Sequence, residues 1–197
     1  MTNYIVINGV TYDLVKREEA AAVPAPKLAD FAVGEVAKIG SHQMIVLDHI
    51  AGGTLLLRKG MLDEMTFGES NNYDGSDVDT ACNEFAEEIA AIVGEDNILQ
   101  HEVDLTSDDG LKDYGVIQRK ASLLTAEQYR SYVQILDKHK PDEWWWLSTP
   151  HSTAAHGNAN WAKCVSPSGG IDGIGFSYGS IGVRPFCILK SDIFVSN

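Results

Sequence analysis

The 197-residue chain predicts an α+β fold with an antiparallel sheet, two helices and long C-terminal loops. Three observations carry that expectation. Two stretches show helical periodicity and are bracketed by strand-like runs. Tight-turn signals at Asn8-Gly9 and Ala51-Gly52-Gly53 each join apolar runs rich in β-branched residues and leucine. After Trp144 the texture changes to short strands separated by glycine- and serine-rich turns, the pattern of an α+β domain with antiparallel pairing.

The opening YIVINGVTYDLV reads as a hairpin, because Asn8-Gly9 supplies the positive backbone angles of a two-residue turn. KREEAAAVPAPKLADF follows, and its prolines at 24 and 26 mark a linker or extended arm. The expected division is therefore residues 1–32, a hairpin with a proline-containing arm for attachment or oligomerisation, and residues 33–197, the main domain. A lone two-stranded hairpin is marginal in water, so the first unit needs a partner surface. MIVLDHI and TLLLRKG open the main domain as a second hairpin. From Ser76 onward Val78, Cys82, Phe85, Ile89 and Ile92 recur at steps of four and three until Gly94, which predicts an amphipathic helix with its acidic residues outward. A second helix starts at Thr125, where Thr125 and Gln128 form a capping box and Leu124 can staple onto Tyr129. Its apolar face is Tyr129, Tyr132, Val133 and Leu136, and Pro141 lies beyond its end.

Charge separates the chain into thirds. Residues 1–60 carry 6 basic and 6 acidic side chains, residues 61–143 carry 6 and 20, and residues 144–197 carry 3 and 2, which sums to the net charge of -13. The acidic middle reads as a solvated helical surface, and its field repels phosphate backbones and anionic lipid. Nucleic acid and membrane insertion are thus not expected. The N-terminus lacks the basic and apolar regions of a signal peptide, and no stretch has the roughly 20 apolar residues of a spanning helix, so synthesis and folding in the bacterial cytoplasm are expected. Cys82, Cys164 and Cys187 are odd in number and form no CxxC pair, so they read as small buried apolar residues rather than a disulfide framework or zinc site.

WWWLSTP, residues 144–150, places three of the four tryptophans together. On a strand, Trp144 and Trp146 share one face and Trp145 the other, which makes the triplet a structural floor under the following loops.

DLTSDDGLKDYG (104–115), SLLTAEQYRSY (122–132), WWWLSTP and GVRPFCIL (182–189), taken in order, resemble an uncharacterised bacterial and prophage domain family that ends in WWLRSP and, some tens of residues later, GVRPA. The resemblance covers about residues 33–197. That family is in turn similar to the C-type-lectin-like fold of formylglycine-generating enzymes and of the variable proteins of diversity-generating retroelements. Ser148 stands where many members carry arginine, which puts any site built on that arginine in doubt. Arg184 of GVRP is retained and is expected to act as a structural clamp on carbonyls or a carboxylate.

In such a fold the loops between the last strands form the variable surface. Residues 151–180 have a matching composition: serine, glycine and asparagine adapt, while aromatics give rigid contact area, as in antibody loops. The expected ligand contacts are His151, His156, Asn158, Asn160, Trp161, Asp172, Phe176 and Tyr178. The resemblance implies a non-enzymatic structural and binding protein carried on a phage or prophage virion, as a capsid decoration, head fibre or tail adhesin. Its partners would be capsid or tail proteins through the N-terminal hairpin, sister copies in a homo-oligomer, and a cell-surface glycan or protein. The alternative is a bacterial enzyme of the same fold acting as an oxidase or hydrolase.

No cofactor, catalytic residue or metal ligand is expected. The EPN and WND triplets of calcium-dependent sugar sites are absent, and Asp104, Asp108 and Asp109 before Gly110 fail the EF-hand spacing and read as turn or cap residues. Cys164 and Cys187 have plain packing explanations. His151, Ser152 and Asp172 contain the residue types of a hydrolase triad, but no nucleophile elbow or HExxH accompanies them. The glycines after residue 168 are not followed by a helix, as a phosphate loop requires.

Overall fold

The computed structural model describes residues 4–13 and 25–196 and has the expected α+β composition, with two α-helices and several mainly antiparallel sheets. Residues 4–13 form a hairpin of β1 (Tyr4–Ile7) and β2 (Val10–Asp13). Its turn residues Asn8 and Gly9 both have positive φ, 52° and 80°, which a primed two-residue turn demands and which asparagine and glycine tolerate. Most of the expected arm lies outside the described residues.

Packing of the main body begins earlier than the expected boundary at residue 33. Leu28 and Phe31 are buried in the same cluster as Ala37, Met44 and Leu56, and Lys27 bridges to Phe194. The physical reason is the apolar pair in KLADF, which a proline-based reading assigns to a linker.

β3 (Val36–Ile39), β4 (His42–Ile50) and β5 (Gly53–Arg58) form an antiparallel meander. Met44 and Val46 of β4, with Leu56 of β5, face one core cluster; Ile45, Leu47, Leu55 and Leu57 face another. Alternation across the pleat explains the uninterrupted runs MIVL and LLL, since both faces of this sheet are buried. After β6 (Glu64–Met65), α1 (Asp77–Val93) starts at Ser76, whose hydroxyl accepts from the Asp79 N–H, and stops at Gly94, φ 93°. Phe85, Ala86 and Ile89 of α1 cover the Leu56 face of the sheet, whereas Val78, Ala81 and Cys82 join a third cluster. Ile92, expected on the buried face, is half exposed instead, where the last turn of α1 runs out beside Gly40.

β7 (Ile98–Leu99), the hairpin of β8 (His101–Asp104) and β9 (Val116–Arg119), and β10 (Ala121–Ser122) lead into α2 (Ala126–Leu136). Both arms of the Thr125–Gln128 capping box are made. The C-terminal third contributes β11 (Trp145–Pro150), β12 (Trp161–Val165), β13 (Ile171–Gly175), β14 (Ile181–Gly182) and β15 (Phe186–Lys190). β15 enters the first sheet, order β10-β15-β5-β4-β3 with β7 also on β15, while the others build a second sheet, order β13-β12-β11-β14-β6. The β11–β14 pair is parallel, an exception to the otherwise antiparallel pairing. Between the sheets, Trp145, Leu147 and Val165 pack with Ile45, Leu57, Phe186 and the α2 residues Tyr129 and Leu136. No helix among the described residues is long and apolar enough to cross a membrane.

Candidate functional site

β11 separates its tryptophans by alternation. Trp145 is 1% exposed and enters the cluster between the sheets, whereas Trp146 is buried in the third cluster, against which the half-buried Trp144 also packs. The Trp146 Nε1–H donates to the Met65 carbonyl at 3.0 Å, Tyr129 meets Trp145 edge-on, and the Arg184 guanidinium lies 4.8 Å from the Trp145 ring centre. Arg184 is buried, and its Nε–H donates to the Arg58 carbonyl at 3.1 Å. Burial lowers its pKa to about 10. One carbonyl and one ring hold this side chain; it makes no carboxylate pair among the described residues.

Trp144 also reaches the surface, where it becomes part of a groove of about 780 Å³ at the β13 edge of the second sheet. Asn160 and Trp161 at the start of β12, Gly173, Ile174 and Gly175 of β13, Phe176, Ser177, Tyr178 and Ser180 of the following turn, and Ile181 of β14 complete it. Backbone bonds fix the frame: Phe176 N–H donates to Asn160 at 3.0 Å, Tyr178 N–H to Gly175 at 3.0 Å, and Gly182 N–H to Trp144 at 2.8 Å. Trp161 faces Gly175 across the β12–β13 ladder, and a Cβ on the nearby Gly173 would sit 3.5 Å from the Trp161 ring. Glycines at both places leave the ring uncovered, at 49% exposure, with Tyr178 64% exposed beside the same groove. The lining contains no charged side chain.

The structure therefore brings together four of the eight expected contacts: Asn160, Trp161, Phe176 and Tyr178. His151 lies just behind, its Nδ1 3.9 Å from where a Cβ on Gly173 would stand, and this buried nitrogen has no hydrogen-bond partner. Asp172 is exposed, and its carboxylate accepts from the Gly173 N–H at 2.8 Å, outside the groove lining. Asn158 is held in the preceding turn through the Thr153 carbonyl. His156 belongs to a different cluster. Its Nδ1 lies 3.0 Å from Asp109, whose carboxylate also accepts from Ser107 and Ser152; these three partners hold that carboxyl well below the usual range. Sequence reasoning missed Trp144, Ile174 and Ile181 as groove walls; the strand register that aligns them carries no local signature.

The cluster around Asp109 ties the 104–115 loop to the 151–157 turn. Asp113 accepts from Thr153, Asp108 pairs with Lys163 and Arg130, and the buried Asn71 amide donates to the Ser152 and Trp161 carbonyls at 2.8 Å each. These bonds brace the loop against the turn and against Lys163 of β12. Ser152 and His156 share one carboxylate, so no histidine stands between the hydroxyl and the acid as a nucleophilic triad requires. Ser152 is moreover 4% exposed, and its hydroxyl is bound neither to His151 nor to Asp172. Asp104 caps Thr106, which leaves Asp104, Asp108 and Asp109 each engaged; no group of three metal-ligating side chains occurs among the described residues. Burial pushes the thiols of Cys82, Cys164 and Cys187 up to about 12, and Cys164 and Cys187 lie in separate core clusters.

Residues 100–191 match the family model described as Domain of unknown function (DUF6273). The match takes in just under half of the chain and includes every groove-lining residue. No curated protein and no solved structure gives a significant match.

Proposed function

We propose that the protein is a non-enzymatic binding module with a C-type-lectin-like fold, carried on a phage or prophage virion, and that the groove at the β13 edge receives a cell-surface ligand. The carrying observation is the groove itself: Trp161 and Tyr178 are exposed at a site framed by strand ladders and lined without charge. Aromatic faces fixed by a rigid sheet give contact area at low entropy cost, and its volume lies in the range of ordinary ligand sites. The uncharged lining favours a neutral ligand, and the net charge of -13 adds a long-range penalty for anions. A neutral surface glycan satisfies both conditions, with Asn160, Ser177 and Ser180 available for its hydroxyls. The loop-rich stretch between β11 and β15 supports the lectin-like reading of the fold. High thiol pKa values and the absence of a cysteine pair among the described residues weigh against redox catalysis.

Tryptophan fluorescence titration with a panel of neutral and acidic oligosaccharides tests the site. Binding should be confined to neutral sugars and weaken at least tenfold in Trp161→Ala, with Asp172→Asn unchanged. Equal binding by wild type and Trp161→Ala would remove the groove from consideration. Failure of the protein to copurify with phage particles would overturn the virion assignment separately.

A further inference from the structure

Resting on the reading of the groove as the binding site, we infer that Asn71 is its positioning residue and sets Asn160 and Trp161 in place before a ligand arrives. Asn71 lies in the stretch between β6 and α1, is fully buried, and stands outside the groove lining. Its backbone N–H donates to the Ala159 carbonyl at 3.2 Å, and its amide nitrogen donates to the Trp161 carbonyl at 2.8 Å. The two bonds bracket Asn160, so both residues that open the groove at the start of β12 are held by one residue 90 positions away from Trp161. The same amide nitrogen reaches the Ser152 carbonyl at 2.8 Å, which ties the 152–161 loop at both ends. On the other side the Tyr114 hydroxyl donates to the amide oxygen at 2.8 Å. With two carbonyls facing one end of the amide and a hydroxyl facing the other, a single orientation satisfies all three partners.

Exposure makes this anchor matter for binding. Half of Trp161 is exposed and it joins none of the three buried clusters, so packing does little to fix the ring and the backbone that carries it must do so. Asn160 passes the constraint onward, because its carbonyl accepts from the Phe176 N–H at 3.0 Å. Without the anchor, the Trp161 and Asn160 side chains would have to be ordered by the ligand, and that ordering costs affinity. Tyr114 acts through Asn71. Loss of its hydroxyl leaves a buried amide oxygen unpaired, and the oxygen can find another donor only by turning the amide nitrogen away from its two carbonyls.

Nuclear magnetic resonance of the isotope-labelled full chain gives one indole N–H signal for each of the four tryptophans, and Trp161→Phe identifies its own. In Asn71→Ala and Tyr114→Phe the Trp161 indole should gain picosecond-to-nanosecond motion, read as a lower heteronuclear NOE, while Trp145 between the sheets keeps its wild-type value. Affinity for a neutral oligosaccharide, measured well below each unfolding midpoint, should fall roughly tenfold in Asn71→Ala and about threefold in Tyr114→Phe. Asp113→Ala, which removes only the Thr153 anchor of the same loop, should change neither signal nor affinity. A merely structural Asn71 would lower the thermal midpoint and leave the Trp161 signal where it was. An unmoved Trp161 indole in Tyr114→Phe overturns the inference even where Asn71→Ala does not fold, and so does an equal loosening in Asp113→Ala. Should wild type bind no oligosaccharide, the glycan reading of the groove fails, and the indole signals still decide whether Asn71 positions Trp161.

Discussion

His101 carries a pH dependence that can be worked out from its surroundings. Its Nε2 lies 2.9 Å from the Ser122 hydroxyl, its ring meets Phe186 edge-on at 5.0 Å, and its Nδ1 is buried without a partner. Burial lowers the imidazole pKa from 6.5 to about 4, so the folded state holds the ring neutral where the unfolded chain would protonate it. Its contribution to stability is full above pH 6.5 and is lost as pH falls toward 4, by about 3 kcal/mol at 1.36 kcal/mol per pH unit. Urea unfolding midpoints should fall across that window in wild type and stay nearly level in His101→Gln. The carboxyls of Asp104, Asp108 and Asp109 are also lowered, but their contribution persists down to their ordinary value near 3.8 and is lost only below it, which separates the two effects. A residue-level reading of the sequence had no means of finding His101, because nothing local distinguishes a buried histidine in HEVD from an exposed one. The tryptophans were legible for the opposite reason: strand alternation is a local rule, and it separates Trp145 from Trp144 and Trp146 once β11 is recognised.

Between elements, a buried ion pair joins the start of α1 to β9. Asp79, in the first turn of α1, is 2% exposed and accepts from Arg119 through Nε at 2.8 Å and Nη2 at 2.7 Å, with the Gly75 N–H as a further donor at 3.0 Å. Asp74 bonds the same guanidinium. Planar bidentate pairing suits arginine, and its removal leaves a buried carboxylate supported only by backbone and a long Asn83 contact. Arg119→Ala should therefore cost about 3 kcal/mol, the lower end for a broken buried pair, because the helix N-terminus still favours the anion. Adding Asp79→Asn should recover part of that loss in chemical denaturation; a double variant no more stable than the single one would assign the cost to packing instead. The helices themselves were readable from period and caps: Ser76 and Thr125 both act as N-caps, and Gly94 ends α1. The division of the strands into two sheets was not readable, since β15 joins β5 across more than a hundred residues while β11 to β14 join one another. Apolar runs report burial on both faces without naming the partner strand. The 26–31 segment was misassigned for a related reason, because its prolines are visible in sequence and the pocket that receives Leu28 and Phe31 is not.

At the scale of the whole molecule, half of the expected contact residues converge on one groove because composition marks a loop surface but not its geometry. Asn160, Trp161, Phe176 and Tyr178 come from the β12 and β13 ends, which the ladder brings together, whereas His156 and Asn158 sit in a turn that the Asp109 and Thr153 bonds draw away. That geometry makes the groove an edge feature of the second sheet, with its exposed aromatics contributing little to the cores beneath. Trp161 and Tyr178 belong to none of the three buried clusters. Folding stability and ligand binding should thus separate cleanly on mutation. Trp161→Ala and Tyr178→Ala are expected to move the ligand-free thermal midpoint by less than about 2 °C, in line with the ±0.5 kcal/mol typical of surface changes. A ligand that binds only the folded state adds RT ln(1 + [L]/Kd), about 2.7 kcal/mol at a hundredfold excess over Kd, and in a chain of this size that raises the midpoint by roughly 5–10 °C. Wild type with a saturating neutral oligosaccharide should show that rise, and the two variants should show little of it at the same concentration. A rise of equal size in all three proteins would place the binding surface elsewhere on the molecule. A large drop in the ligand-free midpoint of Trp161→Ala would mean that the ring supports the sheet, and the separation of binding from folding would fail.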